Sequence, residues 1–241
     1  MKALDYTKTA KVCLDGLNAQ GLEIEELTDF DAVEQLIEDI GKPYLTPILA
    51  PNNNDFTDGN AFWLVAWDSY EPAVLIGAKL EVLQSEPIDK YWIRTSRRHY
   101  PNHNGETIKS VAPHVSSELT GRLAYIGDLY IRPQNRGSMA VLEKFMMLAQ
   151  MAVALSWDPD FTYAFMRDRD VRLGFANRYG FTRHLPSVRE WCDPPHGRSN
   201  SEWLVTLSRS DREHLLRNYA RSSNKLGVVQ NESIAPRVVN G

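Results

Sequence analysis

The chain has 241 residues, of which 43% are hydrophobic, and it carries a formal net charge of −4. This length and apolar fraction indicate a globular protein with a sizeable core. The acidic balance argues against binding to nucleic acid or to an anionic membrane, because both require a basic surface. With two cysteines and no signal-like or long apolar segment, we expect a cytoplasmic protein with no disulfide framework and no membrane anchor.

The first elements follow from the spacing of apolar residues. Residues 5–18 predict a short amphipathic helix, and the alternation at Leu22 and Ile24 predicts a strand. Thr28 has the side chain of an N-cap, so we expect a second helix to begin there and to end near Gly41.

The next part of the chain reads as a loop followed by a hairpin. Residues 43–58 are rich in Pro, Asn and Asp and predict a loop. The β-like runs 61–67 and 73–83 are joined by a short polar link, which favours an antiparallel pair.

A polar stretch over residues 84–120 is too long for an ordinary connection and predicts an insertion. One interpretation is a wall over the substrate, with Arg94, Arg97 and Arg98 facing an acidic group. The favoured interpretation is a solvated excursion on the surface.

The most informative segment is 126–140, where a β-like run is followed by a turn and an apolar helix. Pro133 ends the strand, and Gly137 allows close approach of the backbone. Arg132 and Arg136 supply positive charge beside the free N–H groups of the helix start. These features suit a phosphate group, although an ordinary strand-to-helix turn would share them.

The rest of the chain alternates between helical and β-like patterns. Asp168 and Asp170 are the alternative caps of one helix, and Ser210 with Glu213 forms a capping box for the last. In chain order we expect a buried helix over 137–156, a strand over 161–166, a helix ending at 179, strands over 188–191 and 202–207, a helix over 211–221 and a flexible tail over 222–241.

Two motifs in this region resemble those of the GNAT (Gcn5-related N-acetyltransferase) superfamily. Gln134, Arg136 and Gly137 match its acyl-CoA loop, whereas Met139 stands where the family usually has a second small residue. About 40 residues later, the segment 175–181 resembles the aromatic-Tyr-x-x-x-Gly-Phe junction of the same superfamily. Two motifs in the right order are more specific than either alone.

The resemblance implies a mixed α+β fold: a central, mostly antiparallel, twisted sheet with splayed middle strands and flanking helices. We expect it to form a single domain over residues 1–221, with the insertion at 84–120. It further implies that acetyl-CoA or another acyl-CoA is the co-substrate and that its pantetheine arm lies between the splayed strands, bound by backbone groups. The residues that would bind it are Leu129, Ile131, Arg132, Gln134, Arg136, Gly137, Ser138 and Met139.

The resemblance also implies the chemistry of acyl transfer, which needs a neutral amine and a proton for the departing thiolate. Asp128 is the first candidate for the base and Glu81 the second; the alternative for Asp128 is to bind a cationic substrate or to cap backbone. The family's usual tyrosine acid is replaced by Ala176, and Tyr179 is interpreted as a core residue.

Other candidate sites are weaker. Arg169 and Arg172 are candidates for the adenosine phosphate end of the co-substrate. His99, His103 and His114 lie near one another in sequence, but no Cys or carboxylate completes a metal-ligand spacing, so we expect no metal.

The leading hypothesis is a cytoplasmic acyl-CoA-dependent N-acyltransferase that acts on a small-molecule or peptide amine by direct attack in a ternary complex. The acceptor is not readable from the fold, and a homodimer is left open. One alternative is a long-chain or carrier-protein acyltransferase of the same fold, and another is a catalytically silent CoA-binding module.

Overall fold

The structure is a computed structural model, and it describes residues 3–42, 44–101 and 107–219. Its elements begin with helix α1 (Ala3–Asn18), strand β1 (Leu22–Leu27), helix α2 (Phe30–Asp39) and strands β2 (Ala61–Asp68) and β3 (Glu71–Val82). Helix α3 (Ile88–His99), strand β4 (Ile108–Val111), helix α4 (Pro113–Glu118) and strand β5 (Arg122–Ile131) follow. The chain continues with α5 (Met139–Trp157), β6 (Phe161–Met166), α6 (Asp168–Arg172), α7 (Phe175–Arg178), β7 (Arg183–Pro186), β8 (Arg189–Trp191) and β9 (Trp203–Ser208). Residues 209–219 are helical.

The strands form a seven-stranded sheet in the order β1-β2-β3-β5-β6-β9-β7, and β4 pairs separately with β8. Every pair of neighbouring strands is antiparallel except β5 and β6. The predicted fold class, a mixed and mostly antiparallel sheet flanked by helices, is confirmed.

Apolar side chains cover both faces of this sheet. On one face, α1 and the apolar helix α5 pack over Phe62, Ile76 and Ile126. On the other face, the core includes residues of α2, α3 and α4 and the β4–β8 pair, with Trp63, Trp92 and Tyr163 among its members. The sheet therefore separates two cores.

Helix α5 is the one helix, within the described ranges, that is long and apolar enough to cross a membrane by length and composition. Its Phe145 and Met151 are fully buried in the core beneath the sheet. This packing accounts for its composition, because a helix covered on most sides needs apolar residues on most sides.

The structure corrects several predicted helix starts. Asp29, one residue after the predicted Thr28, caps α2, because its carboxylate accepts hydrogen bonds from the N–H groups of Asp31 and Ala32. Ser208 rather than Ser210 caps the last helix, since its hydroxyl accepts from the Asp211 N–H at 3.1 Å.

The predicted helix from 168 to 179 is instead two short helices, α6 and α7. Gly174 separates them with a φ of +82°, and neither Asp168 nor Asp170 acts as the N-cap, which is Arg167. Strand β7 was not predicted, because Arg183–Pro186 is short and carries only one apolar residue besides its proline.

The described parts of the stretch over 84–120, which are residues 84–101 and 107–120, include α3, β4 and α4 and are not a solvated excursion. Trp92 of α3 is buried, and its ring lies 5.2 Å from that of Phe165 and 5.6 Å from that of Tyr163. The segment therefore supplies part of the core on this face of the sheet. The single domain predicted over 1–221 stays a prediction, and the predicted tail at 222–241 lies outside the described residues.

Candidate active site

A cleft opens where the two parallel strands separate. Strands β5 and β6 pair only where Leu123–Tyr125 of β5 lies beside Phe161–Tyr163 of β6. Beyond this point β5 continues to Ile131 and β6 to Met166. The divergence leaves a cavity of about 640 Å³ between the two strands and the start of α5. Because the strands no longer pair with each other there, backbone groups along both walls face the opening. The splay predicted for the middle strands is present.

A bulge in β5 shapes the wall of this cleft. Opposite β3, Gly127 pairs with Gly77 whereas Tyr130 pairs with Leu75, so β5 carries one extra residue. Asp128 takes up the extra length with a φ of +62°, which is a left-handed conformation. Gly127 has to be small, because a Cβ there would lie 2.6 Å from the Tyr125 hydroxyl.

The loop at the other end of the cleft joins β5 to α5. After a single 3₁₀ turn, Gly137 adopts a φ of +105°, and α5 begins at Met139. The N–H groups of Ala140 and Val141 lie in the first turn of α5, where no intrahelical acceptor exists. The dipole of a 19-residue helix adds partial positive charge at this end.

Most predicted co-substrate residues lie around this cleft. The wall and the loop contribute Leu129, Ile131, Arg136, Gly137 and Met139. Arg136 is exposed and makes no ion pair with any residue that the structure describes, so its guanidinium is free to meet an anion. Ser138 lines a small adjoining recess, and Gln134 lies exposed on the 3₁₀ turn outside the cleft.

Arg132 is the exception, because its guanidinium is engaged by other side chains, and its role in anion binding stays a prediction. Its guanidinium forms ion pairs with Asp68 and Glu71 at the β2–β3 turn and donates to the Asn135 side chain at 2.7 Å. Two carboxylates already neutralise it, so Arg132 ties the loop to the hairpin rather than presenting charge to a ligand.

Asp128 lines the cleft, but its carboxylate has three partners from the segment before β2. Lys42 Nζ and the Thr46 N–H each donate to it at 2.7 Å, and the Thr46 hydroxyl lies at 3.1 Å. Only 2% of the side chain is exposed. The arrangement matches the alternative of a carboxylate that caps backbone, and it anchors Lys42 and Thr46 to the bulge.

Glu81 lies on the far side of the sheet from α5, outside the cleft. Its carboxylate accepts a hydrogen bond from the Tyr163 hydroxyl at 2.6 Å and pairs with Lys79 at 2.9 Å. It lines a small cavity of about 20 Å³ whose wall includes Phe165. Phe165 also lines the main cleft, so one aromatic ring separates Glu81 from it.

The second predicted motif closes the cleft at its other wall. Ala176 stands where the resemblance implies a tyrosine acid, and an alanine side chain has no proton to donate. It is fully buried. Tyr179, interpreted from sequence as a core residue, lines the cleft and stacks on Phe175 at 5.9 Å. Burial, followed by the nearby Asp170 charge, raises its pKa to about 12.

Several lining residues were missed from sequence, notably Ala164, Met166, Arg167 and Asp170. The alternation in 161–166 located the strand, but only the divergence of β5 and β6 shows which of its residues face the opening. Arg167 pairs with Asp170 at 2.8 Å at the rim.

The remaining candidates have structural environments of their own. Arg169 is exposed, and Arg172 pairs with Asp168 at 2.7 Å. His99 is buried with its ring 3.2 Å from the Asn54 amide oxygen, and burial lowers its pKa to about 3. His114 is exposed, and His103 lies outside the described residues.

Comparison with known proteins gives matches in solved structures alone. No family model matches the chain, and no curated protein does. The similar structures include GNAT acetyltransferases.

One of them is Arabidopsis thaliana NAA60 in complex with acetyl-CoA, with 16% identity, a TM-score of 0.45, and coverage of 78% of this chain and 98% of that chain. Another is the spermidine/spermine N-acetyltransferase SpeG from Vibrio cholerae, with 12% identity, a TM-score of 0.47, and coverage of 81% and 96%. A third is an acetyltransferase of the GNAT family from Streptococcus pneumoniae, with 10% identity, a TM-score of 0.39, and coverage of 78% and 98%.

Proposed function

We propose that this protein is a cytoplasmic N-acyltransferase that transfers an acyl group, most simply acetyl, from acyl-CoA to an amine by direct attack in a ternary complex. The observation that carries the proposal is the divergence of the parallel strands β5 and β6, which opens a cleft running from the Arg136–Gly137 loop to the bulge at Asp128. An elongated co-substrate with an anionic end and a narrow arm suits that shape.

The cleft offers each part of such a donor a matching surface. Arg136, the free amides at the start of α5 and the helix dipole suit a pyrophosphate. Backbone groups of Leu129 and Ile131 suit the amides of a pantetheine arm, which would lie against β5 like an added strand. Met139 begins α5 and lines the cleft beside Gly137.

The chemistry requires a neutral amine, whose nitrogen forms a bond to the thioester carbonyl carbon as the C–S bond breaks. One proton leaves the amine and one is taken up by the sulfur. Asp128, on the cleft wall, is the first candidate acceptor of the amine proton. To accept it, the Asp128 carboxylate would have to give up its hydrogen bond from Lys42. Glu81 is the second, reached past Phe165. Tyr179 is the candidate donor, because it lines the cleft and carries a hydroxyl proton at neutral pH.

Calorimetric titration with acetyl-CoA tests the proposal, comparing the wild type with Arg136→Ala and Gly137→Asp. The first removes the free cation, and the second places an anion on a backbone with a φ of +105°. Gly21→Asp is the matched control, since Gly21 also has a positive φ, +76°, and open space around it. We expect at least about tenfold weaker binding in both cleft variants and unchanged binding in the control. An absence of acetyl-CoA binding to the wild type would refute the proposal.

A catalytically silent CoA-binding protein is the second candidate. Two observations favour it: Ala176 is buried where the family has its acid, and the Asp128 carboxylate is fully engaged. Tight acetyl-CoA binding with no CoA release over a broad panel of amines would support it. Turnover of any amine, reduced in Tyr179→Phe, would exclude it.

A further inference from the structure

Two arginines are buried side by side on the face of the sheet away from α5. Their side chains are only 5% and 7% exposed for Arg189 and Arg198 respectively. Both donate to the same carboxylate, that of Glu202, at 2.9 Å and 3.1 Å. We call Arg189 and Arg198 the arginine pair. One carboxylate between two guanidinium groups leaves a positive charge without a counter-charge.

The neighbouring charged residues that the structure describes do not supply the missing anion. The neighbouring Lys79 and Glu81 neutralise each other at 2.9 Å, and Lys42 neutralises Asp128. The His99 ring is uncharged at neutral pH, because its pKa is lowered to about 3 by burial and by the nearby cations, Lys79 first among them. This buried region therefore holds one positive charge in excess, which costs free energy unless a ligand supplies an anion.

Unused donors mark where such an anion would bind. Arg189 Nε and Arg198 Nη2 are both buried and have no hydrogen-bond partner. Buried N–H groups are normally paired, so two orphans in adjacent guanidinium groups point to a missing acceptor. A guanidinium offers parallel N–H groups in the geometry that a carboxylate matches.

The arginine pair adjoins the cleft at two points. The Arg189 guanidinium lies flat on the Phe165 ring at 3.5 Å, and that ring lines the main cleft. The Arg198 charge acts on the Tyr125 hydroxyl, whose ring lies against Gly127 of the bulge. A substrate at the splayed strands therefore has the Phe165 ring between it and the arginine pair, with the small cavity lined by Arg189 behind that ring.

We propose that the arginine pair is a specificity site for a carboxylate carried by the substrate, so that the reaction takes an amine bearing a carboxylate or, alternatively, an acyl group ending in one. The inference rests on the proposed function. A carboxylate is favoured over a phosphate because a single negative charge balances the excess, whereas a dianion would invert it. The aromatic rings of Phe165 and Trp191 around Arg189 also suit a small planar group.

Matched ligand pairs test this by calorimetry. In the acceptor arm, the protein is first saturated with CoA, which carries no acyl group to transfer. The affinity for L-phenylalanine is then compared with that for phenethylamine, and the affinity for L-leucine with that for 3-methylbutylamine. In the donor arm, succinyl-CoA is compared with butyryl-CoA, which has the same chain length without the carboxylate. We expect at least about tenfold preference for the carboxylated member in one arm, and that arm identifies the source of the group.

The variants Arg198→Gln and Arg189→Lys show whether the arginine pair is responsible. The ratio of two affinities does not depend on the fraction of folded protein, so the test survives a loss of stability. We expect the ratio to fall towards one in Arg198→Gln and to fall less in Arg189→Lys, which keeps the charge. Arg97→Gln, an exposed arginine of α3, is the control and should keep the wild-type ratio.

Ratios near one in both arms of the wild type would overturn the inference, as would a preference that Arg198→Gln leaves intact. Failure of the proposed function has a different signature, since acetyl-CoA itself would then not bind. A wild type that binds acetyl-CoA but ignores the carboxylate refutes the specificity site alone.

Discussion

The two faces of the sheet differ sharply at the point where β5 and β6 separate. The α5 face holds an open cleft of about 640 Å³ whose walls mix apolar residues with charged ones. The opposite face holds a cavity of about 20 Å³ among buried charges, including Glu81 and Arg189. One face can bind a long flexible ligand through backbone and shape, and the other can recognise a small charged group.

The faces also differ in how the chain builds them. The loop and helix start on the α5 face come from one continuous segment, 131–142, so local sequence specifies their geometry. The opposite face is assembled from α3, β3, β6 and the region from β8 to β9, which are far apart in sequence. Local sequence therefore sets the geometry of the first face, whereas contacts between distant segments set that of the second.

The largest expected effect is a loss of stability when a buried side chain of the opposite face is truncated. Trp92→Ala removes a buried ring that contacts Phe165 and donates to the Tyr163 hydroxyl at 3.1 Å. We expect a loss of about 3–5 kcal/mol in the free energy of unfolding, measured with urea. Phe145→Ala, in the core of the α5 face, should cost a similar amount, whereas Tyr70→Ala, at a ring that is 96% exposed, should cost little. A Trp92→Ala variant as stable as the wild type would show that α3 is dispensable.

A smaller effect is expected where the two faces meet at the bulge. Asp128→Asn keeps an acceptor for the Thr46 N–H and tolerates the left-handed φ, but it leaves the Lys42 ammonium without its counter-charge. We expect a loss of about 2 kcal/mol in unfolding free energy, recovered in part by adding Lys42→Met. If Asp128 only anchors this segment, the double variant should also regain turnover. Stability restored without turnover would identify Asp128 as the proton acceptor.

The pH dependence of stability should reveal the burial of His99 on the opposite face. His99 has a pKa lowered to about 3, by burial first, against an ordinary value of 6.5. Below pH 6.5 the unfolded chain binds a proton that the folded chain excludes, so this contribution to stability is complete above pH 6.5 and is lost as the pH falls towards 3. From pH 7 to pH 5 the loss is about 2 kcal/mol. Urea unfolding of His99→Gln should lack this loss, and the exposed His114→Gln should retain it.

The contrast between the faces also decides what could be predicted from sequence. The strand, turn and buried helix over 122–157 were predictable, because Pro133, Gly137 and the apolar run each act locally. The partners of Arg132 and Asp128 were not, because Asp68, Glu71 and Lys42 lie more than 60 residues away and reach them only through sheet register.

The insertion shows the same limit in its arrangement of apolar residues. In α3 the buried positions include Ile88, Trp92 and Ser96, and the rest of the helix is largely polar and basic. Such a stripe, one residue per turn, is too sparse to distinguish a core-facing helix from a polar loop. Only the rings of Tyr163 and Phe165, from a distant strand, reveal what Trp92 packs against.

The smallest expected effect concerns the arginines of α3, for which one interpretation of the sequence is a wall over the substrate. Arg94 donates twice to Glu86, at 3.0 Å and 2.7 Å, and 62% of its side chain is exposed. Arg94→Ala should therefore change the unfolding free energy by less than about 1 kcal/mol. The change should be smaller still in about 0.5 M salt, which screens an exposed ion pair. Its affinity for carboxylated ligands should match the wild type, in contrast to Arg198→Gln. Because both residues are arginines on the same side of the sheet, a loss of ligand preference in Arg94→Ala would move recognition from the buried pair to the surface of α3.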